Sequence, residues 1–360
     1  MTWSGLTEGY LLGMFGWLAG LVALFVILLK LRRRWKEKPQ RKRLANCGLS
    51  LWLLIALCTL LELGFAIFYD STDSFNLSNV SQKWFRKYAE PSEKVLVFKS
   101  EEGVVYRDNQ TFPKSIPEGQ QHACFLGDSF TYGHGVNRVE DRFSNRVRSR
   151  LEQEAPGAWI VTNLAKPGTD LQWAEAILKN LFDDGLRVDR AIYTICLNDI
   201  ESFRPAHGEY YQGHWRAGSN FFLFRDTYFF NLLYFRIEQF RRPEVQSYYD
   251  FVQEFYNGEP WTKMTAKIHA MNELCHSHNC QLEIAIFPFL HNLGPDYQFG
   301  FAHEKLEEFC VQEHIPVVDL LPVLQPHTQA GLVVSRFDAH PNETAHRYAA
   351  EAIYDQLFEP

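Results

Sequence analysis

The sequence has little from which a metal site or a disulfide framework could be built. Of seven cysteines, Cys47 and Cys58 fall at or within an apolar run. The other five, Cys124, Cys196, Cys275, Cys280 and Cys310, are an odd number without a convincing metal-ligand spacing, so a complete set of bridges is excluded. Cys275 and Cys280 are near enough in sequence to form one bridge outside the cytoplasm, unless a helix ending between them keeps them apart. Internal repeats are absent. Acids outnumber bases outside one segment: residues 30–43, "KLRRRWKEKPQRKR", hold nine basic residues and one acid, and because the whole chain carries −7 the remainder carries −15. That balance argues against a nucleic-acid partner for the large C-terminal part. A basic region ahead of the first apolar run is also missing. Glu8 precedes that run and the basic block follows it, the reverse of a cleaved signal peptide.

Two long apolar runs are present instead. Tyr10 to Leu29 and Gly48 to Phe68 are each about 20 residues long, enough to span a bilayer as a helix, and Glu62 is the one charge that interrupts them. An acid in such a place is either functional or paired between the two helices, and the second expectation is the stronger. The basic segment between the runs is a cytoplasmic loop by the positive-inside rule, which sends both termini outward. Residues 1–69 therefore form a membrane anchor with helices over about 10–29 and 48–68 around a cytoplasmic loop at 30–43. The bilayer is the first expected partner, and in a bacterium this would be the inner membrane.

Residues 70–121 turn polar, with "STDSFNLSNVS" as a linker and "KVLVF" and "GVVYR" as short strands. From 122 to 360 strand and helix patterns alternate. Strands are expected at His122–Leu126, Trp159–Asn163, Arg190–Leu197, Leu282–Phe287 and "IPVVDL". Helices are expected at Arg138–Glu154, Leu171–Phe182, Thr262–His278, Ala302–Glu313 and Glu343–Leu357. This rhythm implies right-handed crossovers and a parallel sheet covered on both faces, an α/β architecture in which ligands gather at the carboxyl ends of the strands.

The chemistry-bearing residues fall at that edge. "GDS" with Ser129 follows the first strand, "NLAKPGTD" with Gly168 the second and "CLND" with Asn198 the third, while "DAHPN" with His340 precedes the last helix. In this order the four blocks resemble those of the SGNH/GDSL hydrolase superfamily, over roughly Gln121 to the C terminus. The resemblance implies a three-layer α/β/α sandwich of flavodoxin-like type, here preceded by two transmembrane helices. It implies Ser129 as nucleophile and His340 as general base, with oxyanion donors from the Ser129 and Gly168 backbone N–H groups and the Asn198 amide. No metal or organic cofactor is implied. Asp338 is the candidate acid beside His340, at an offset of two residues where the superfamily usually has three; a backbone carbonyl is the other candidate for orienting the ring.

The residue types suit these tasks. A serine hydroxyl needs a histidine to take its proton, and the histidine needs an acceptor to fix its tautomer. Asparagine donates without adding a charge. Singly, each residue reads as an ordinary loop or turn residue, and Asn342 as the N-cap of the last helix; jointly and in order they favour catalysis. Asp128 and Asp199 are expected to brace their loops. His134 is not expected to be the base, and His346 is a surface or packing residue. His291, in "PFLHNLGPDYQ", is structural, at most bordering the pocket. The α/β-hydrolase elbow G-x-S-x-G is lacking, since position 131 is threonine.

An insertion at about 201–261 separates the Asn198 loop from the next helix, and Tyr210 to Trp261 contains eighteen aromatics in fifty-two positions. The leading expectation is an amphipathic helical subdomain packed on the sheet; a substrate lid and a membrane-facing surface are the alternatives. The sequons at Asn76, Asn79, Asn109 and Asn342 look incidental. The function expected is a membrane-anchored serine ester hydrolase that removes acyl groups, foremost acetyl, from a small molecule or an envelope carbohydrate. An O-acyltransferase using the same residues is the enzymatic rival, and an inactive carbohydrate-binding or assembly protein the rival of another class.

Overall fold

The structure, a computed structural model, describes residues 5–90, 93–95, 104–203, 218–241, 248–290, 293–327 and 331–359. The chain forms two compact units. One comprises Met1–Ser71, Asn76–Lys87 and Ala217–Arg241; the other comprises Thr72–Phe75, Tyr88–Arg216 and Arg242–Pro360.

The larger unit opens with a small antiparallel ribbon, β1 (Glu93–Val95) and β2 (Val104–Tyr106). Its centre is a parallel sheet of β3 (Gln121–Gly127), β4 (Trp159–Asn163), β5 (Arg190–Cys196), β6 (Gln281–Phe287) and β7 (Val317–Asp319), in the order β4-β3-β5-β6-β7. Apart from their first residues β3, β5 and β6 are buried throughout. Such strands must read as continuous apolar runs because helices cover both faces. Winding runs outward from β3 to β4, then reverses past β3 to β5, β6 and β7. With right-handed crossovers, this reversal sends Phe143–Glu154 to one face and Leu171–Asp183, Glu259–Ser277 and Gly300–Gln312 to the other. The last helix, Glu343–Ile353, packs beside Phe143–Glu154. The reversal falls between β3 and β5, and it is at the carboxyl ends of the strands beside such a point that an open α/β sheet binds its ligand.

The helix expected at Arg138–Glu154 is shorter than the sequence pattern suggested. A 3-10 turn at Val139–Asp141 precedes the helix Phe143–Glu154. Ahead of the last helix the chain also forms an antiparallel hairpin, β8 (Val333–Ser335) and β9 (Asp338–Pro341). The seven cysteines are free, so no bridge joins Cys275, on the helix Glu259–Ser277, to Cys280, just past its C-terminal turn.

The smaller unit contains Glu8–Arg34 and Pro39–Phe68, two helices long and apolar enough to cross a membrane. The basic segment is largely helical. Arg32, Arg33 and Arg34 end the first helix, where cations meet the negative end of the helix dipole, and Pro39 starts the second. Trp17 Nε1 donates to Thr59 Oγ1 at 3.0 Å and Trp52 Nε1 to the Leu21 carbonyl at 2.9 Å, which satisfies polar groups in an apolar setting. Glu62 has partners beyond the helix pair: besides the Tyr10 hydroxyl at 3.1 Å, it accepts from the backbone N–H groups of Tyr228 and Phe229 at 2.7 and 2.8 Å. It thereby caps the start of the helix Phe229–Arg241.

Part of the stretch read as a linker is the helix Asn79–Tyr88, with Trp84 and Lys83 buried. The Lys83 ammonium donates to the carbonyls of Ala66 and Tyr69 at 2.8 and 3.0 Å and pairs with Asp70 at 2.9 Å. A C-terminal helix end leaves such carbonyls without partners, and a buried cation supplies them. The aromatic insertion does not form one subdomain on the sheet. Phe229–Arg241 belongs to the smaller unit, whereas Tyr248–Tyr256 belongs to the larger, where Val252, Phe255 and Tyr256 enter the core.

Candidate active site

Ser129 stands two residues beyond β3, at the start of a single helical turn, Ser129–Tyr132. Asp128 caps that turn, its Oδ1 accepting the Phe130 N–H at 2.8 Å. Gly133 closes it in the left-handed conformation, φ +74°, where a Cβ would meet Arg142. Arg107, fully buried, donates to the Gly133 carbonyl at 2.8 Å and holds the following loop. The serine is thus fixed at the sheet's edge by its neighbours on both sides.

His340 Nε2 lies 2.8 Å from Ser129 Oγ, and His340 Nδ1 lies 2.5 Å from Asp338 Oδ1. Three residues from two ends of the domain, 211 positions apart at the widest, form one hydrogen-bonded line. The offset of two follows from β9: along an extended strand, residues i and i+2 face the same side, so Asp338 and His340 point together and the carboxylate reaches the ring. The same Oδ1 accepts the His340 backbone N–H at 3.1 Å.

Electrostatics match this line. Burial alone would push the Asp338 carboxyl up, but the His340 charge, its hydrogen bond and those of its other neighbours hold it well below the usual carboxylate range. Burial likewise opposes the imidazolium of His340, and the Asp338 charge and hydrogen bond overcome it, leaving its pKa above that of an ordinary histidine. Asp128 and Asp199, adjacent to two site residues, are both raised by burial, and Asp199 further by the charge of Asp128. Asp199 accepts the Tyr193 hydroxyl at 2.8 Å. Both therefore brace loops, as their neighbours in the sequence suggested.

Gly168 follows β4 with φ +73°, in the left-handed region, and a Cβ there would meet nothing within 4 Å, so this side is open to an approaching group. Its loop is tied to the end of β3, Lys166 N–H donating to the Gly127 carbonyl at 3.2 Å. Asn198 is the second residue of the 3-10 turn Leu197–Phe203 after β5, and its Oδ1 is buried without a hydrogen-bond partner among the described residues. A buried acceptor oxygen left in that state costs on the order of 1–3 kcal/mol unless a hydrogen-bond donor engages it.

Two histidines set aside in the sequence have defined positions. His134 is buried, its ring 4.5 Å from that of His340, and burial with the His340 charge lowers it to about 3, so it stays neutral. His346 is a packing residue with no surface role: it accepts the Phe143 N–H on Nδ1 at 3.2 Å and stacks on that ring. His291 lies outside the described residues. The ligand atoms of His134, Asp338 and His340 come within 4.8 Å of one another. Both ring nitrogens of His340 are engaged, however, by Ser129 and Asp338.

One partner of the site left no signal in the sequence. The hydroxyl of Thr72 donates to Asp338 Oδ2 across 266 positions.

Residues 125–348 match the family described as the GDSL-like lipase/acylhydrolase family. No curated protein matches the chain. Among solved structures it is similar to a member of the lipolytic G-D-S-L family from Veillonella parvula, at 15% identity and a TM-score of 0.41, covering 67% of this chain and 100% of the other. It is also similar to a catalytic mutant of an acetylxylan esterase from Geobacillus stearothermophilus, at 11% identity and a TM-score of 0.44, covering 68% and 98%. A two-domain esterase active on acetylated mannans is similar at 14% identity and a TM-score of 0.40, covering 66% of this chain and 49% of that one.

Proposed function

The chain belongs to the GDSL-like lipase/acylhydrolase family, within the SGNH superfamily, and is an acyl-ester hydrolase of the serine type; from that premise we propose that Ser129, His340 and Asp338 are its catalytic residues. The observation that carries the assignment is the unbroken line from Ser129 Oγ through the His340 ring to Asp338 Oδ1, at 2.8 and 2.5 Å.

In the first half-reaction Ser129 Oγ attacks the ester carbonyl carbon while its proton passes to His340 Nε2. Asp338 keeps the ring in the tautomer that accepts at Nε2 and stabilises the imidazolium that results. Negative charge develops on the former carbonyl oxygen, where the Ser129 and Gly168 N–H groups and the Asn198 amide are the proposed donors. Such donors contribute about 2.7–4 kcal/mol each in a preorganised site. Collapse releases the alcohol, which takes the proton from His340 and leaves acyl-Ser129; water then repeats the sequence in reverse.

The two apolar helices are the proposed membrane anchor, with 30–43 on the cytoplasmic side and the catalytic unit outside. The support is the density of positive charge between the helices, nine basic residues against one acid. An outward-facing unit meets envelope polymers, so the proposed substrate is an O-acyl group, foremost acetyl, on an extracytoplasmic carbohydrate. A carbohydrate hydroxyl in place of water in the second half-reaction would make the same residues an acyltransferase.

Fluorophosphonate labelling and aryl-acetate hydrolysis by the full-length protein, with and without an added oligosaccharide acceptor, test both readings. Ser129→Ala is expected to abolish labelling and to lower hydrolysis by roughly four to six orders of magnitude in a folded protein. Wild-type protein that folds but is not labelled at Ser129 would sink the assignment, and transfer in excess of hydrolysis would select the acyltransferase.

A further inference from the structure

Asp338 has two carboxylate oxygens, and only one faces the histidine. Oδ1 serves His340, and Oδ2 accepts the hydroxyl of Thr72, which is itself buried. Two positions on, Ser74 Oγ accepts the backbone N–H of Ala339 at 3.1 Å. Between them stands Asp73, whose negative charge is among those that favour the imidazolium of His340. Thr72 and Ser74 thus touch the acid and the strand that carries it, with Asp73 between them. They lie outside residues 125–348, the stretch matched to the family.

The hairpin explains why such a brace is needed. β9 pairs with β8 through Val333–Pro341 and Ser335–Asp338, with an irregularity between Val333 and Ser335. A two-stranded ribbon is only marginally stable by itself. A carboxylate also turns easily about its terminal torsion, which is broad and two-fold. A donor on Oδ2 fixes the plane of the carboxylate and so aims Oδ1 at Nδ1.

We propose that Thr72 is a positioning residue for this hydrolase, holding Asp338 in the orientation that serves His340, and that residues 72–74 form a clamp on β9 that completes the active site from outside the family-matched span. The inference rests on reading Ser129, His340 and Asp338 as the catalytic line, and the experiment separates the two.

Thr72→Val, Thr72→Ala and Thr72→Ser are made in the full-length chain and compared with wild type in detergent by aryl-acetate kinetics, fluorophosphonate labelling rate and thermal unfolding. The two variants without a hydroxyl are expected to lose kcat by roughly 10- to 100-fold, the scale on which a misplaced catalytic group acts, with KM within about twofold. Thr72→Ser is expected within about threefold of wild type. A pH profile distinguishes positioning from plain hydrogen bonding. If the clamp aims the carboxylate, its loss weakens the partner of the imidazolium and burial gains, so the acidic limb of kcat/KM moves to lower pH. If the hydroxyl only neutralised part of the charge, its loss would strengthen the carboxylate and move the limb to higher pH. Wild-type kcat in both hydroxyl-free variants, an acidic limb that stays or rises, or equal losses in Thr72→Ser each overturn the proposal. A variant that fails to fold is replaced in this comparison by the other. Should wild-type protein prove inactive, the titration of His340 followed by NMR of labelled histidine needs no turnover. A downward shift in Thr72→Ala supports the clamp, and an unchanged midpoint overturns it.

Discussion

A serine hydroxyl becomes a nucleophile only when its proton has somewhere to go, and in the proposed line the path turns on an offset of two residues. Asp338 and His340 share one side of an extended strand, so the shorter spacing still delivers a carboxylate to Nδ1 at 2.5 Å. The sequence left a carbonyl as the alternative partner because a pattern of letters does not tell a strand from a turn. Asp338→Asn is expected to lower kcat by about 10⁴, as when a triad acid is replaced by its amide and the tautomer is lost, with the fold retained; near-normal turnover would move the orienting role elsewhere. The pH dependence follows from the raised pKa of His340. The base must be neutral, so kcat/KM is expected to fall on acidification from a point above the ordinary histidine value of about 6.5. The sign for stability is the opposite. The imidazolium's contribution is complete below that ordinary value and is lost as pH rises through the raised one; that of Asp338, whose pKa is lowered, is present above the ordinary carboxylate value and lost as pH falls through its own. Rate profiles and unfolding measured over the same pH range check both.

Between residue and domain, the elements that carry the site are short and depend on their caps. Asn342 Oδ1 accepts the N–H groups of Thr344 and Ala345 at 3.0 and 3.1 Å, and its Nδ2 donates to the carbonyls of Gly331 and Val333 at 3.1 and 3.2 Å. One side chain therefore starts the last helix and ties β8 to it, which also commits the nitrogen that a glycan would need. Asn342→Ala is expected to cost about 1–2 kcal/mol, read as a lower unfolding midpoint, with a fall in kcat because β9 follows β8. Unchanged stability would show that the cap is dispensable. The β-α rhythm was legible, because buried parallel strands are continuous apolar runs and the helices between them have one apolar face. The β8-β9 hairpin was not, because three- and four-residue strands are too short for any period to register.

Over the whole molecule, the aromatic insertion contributes to both compact units. Its Phe229–Arg241 helix starts on the Glu62 carboxylate of an apolar helix, while Tyr256 donates its hydroxyl to the Leu197 carbonyl, one residue before Asn198, at 3.1 Å. The sequence showed a dense run of rings without saying which core each would join, since aromatic residues satisfy either. The orientation of the chain is tested by reporter fusions after Lys42 and at the C terminus. A cytoplasmic reporter is expected to be active only at the first and an extracytoplasmic one only at the second; a cytoplasmic C terminus would overturn the proposed location.

By itself the sequence determined the alternation of strand and helix, the two apolar helices, and the positions of Ser129, Gly168, Asn198 and His340 at strand ends and before the last helix. Each of these is a local signal, written in periodicity or in a few adjacent letters. Only the tertiary structure decided that Asp338 and His340 sit on a strand, that Glu62 caps a helix 167 positions away, that His134 packs against His340, and that Thr72 donates to Asp338 from 266 positions away. The physical reason is the same throughout. A hydrogen bond needs two atoms within about 3 Å, and no local pattern records which distant residue folding will bring there.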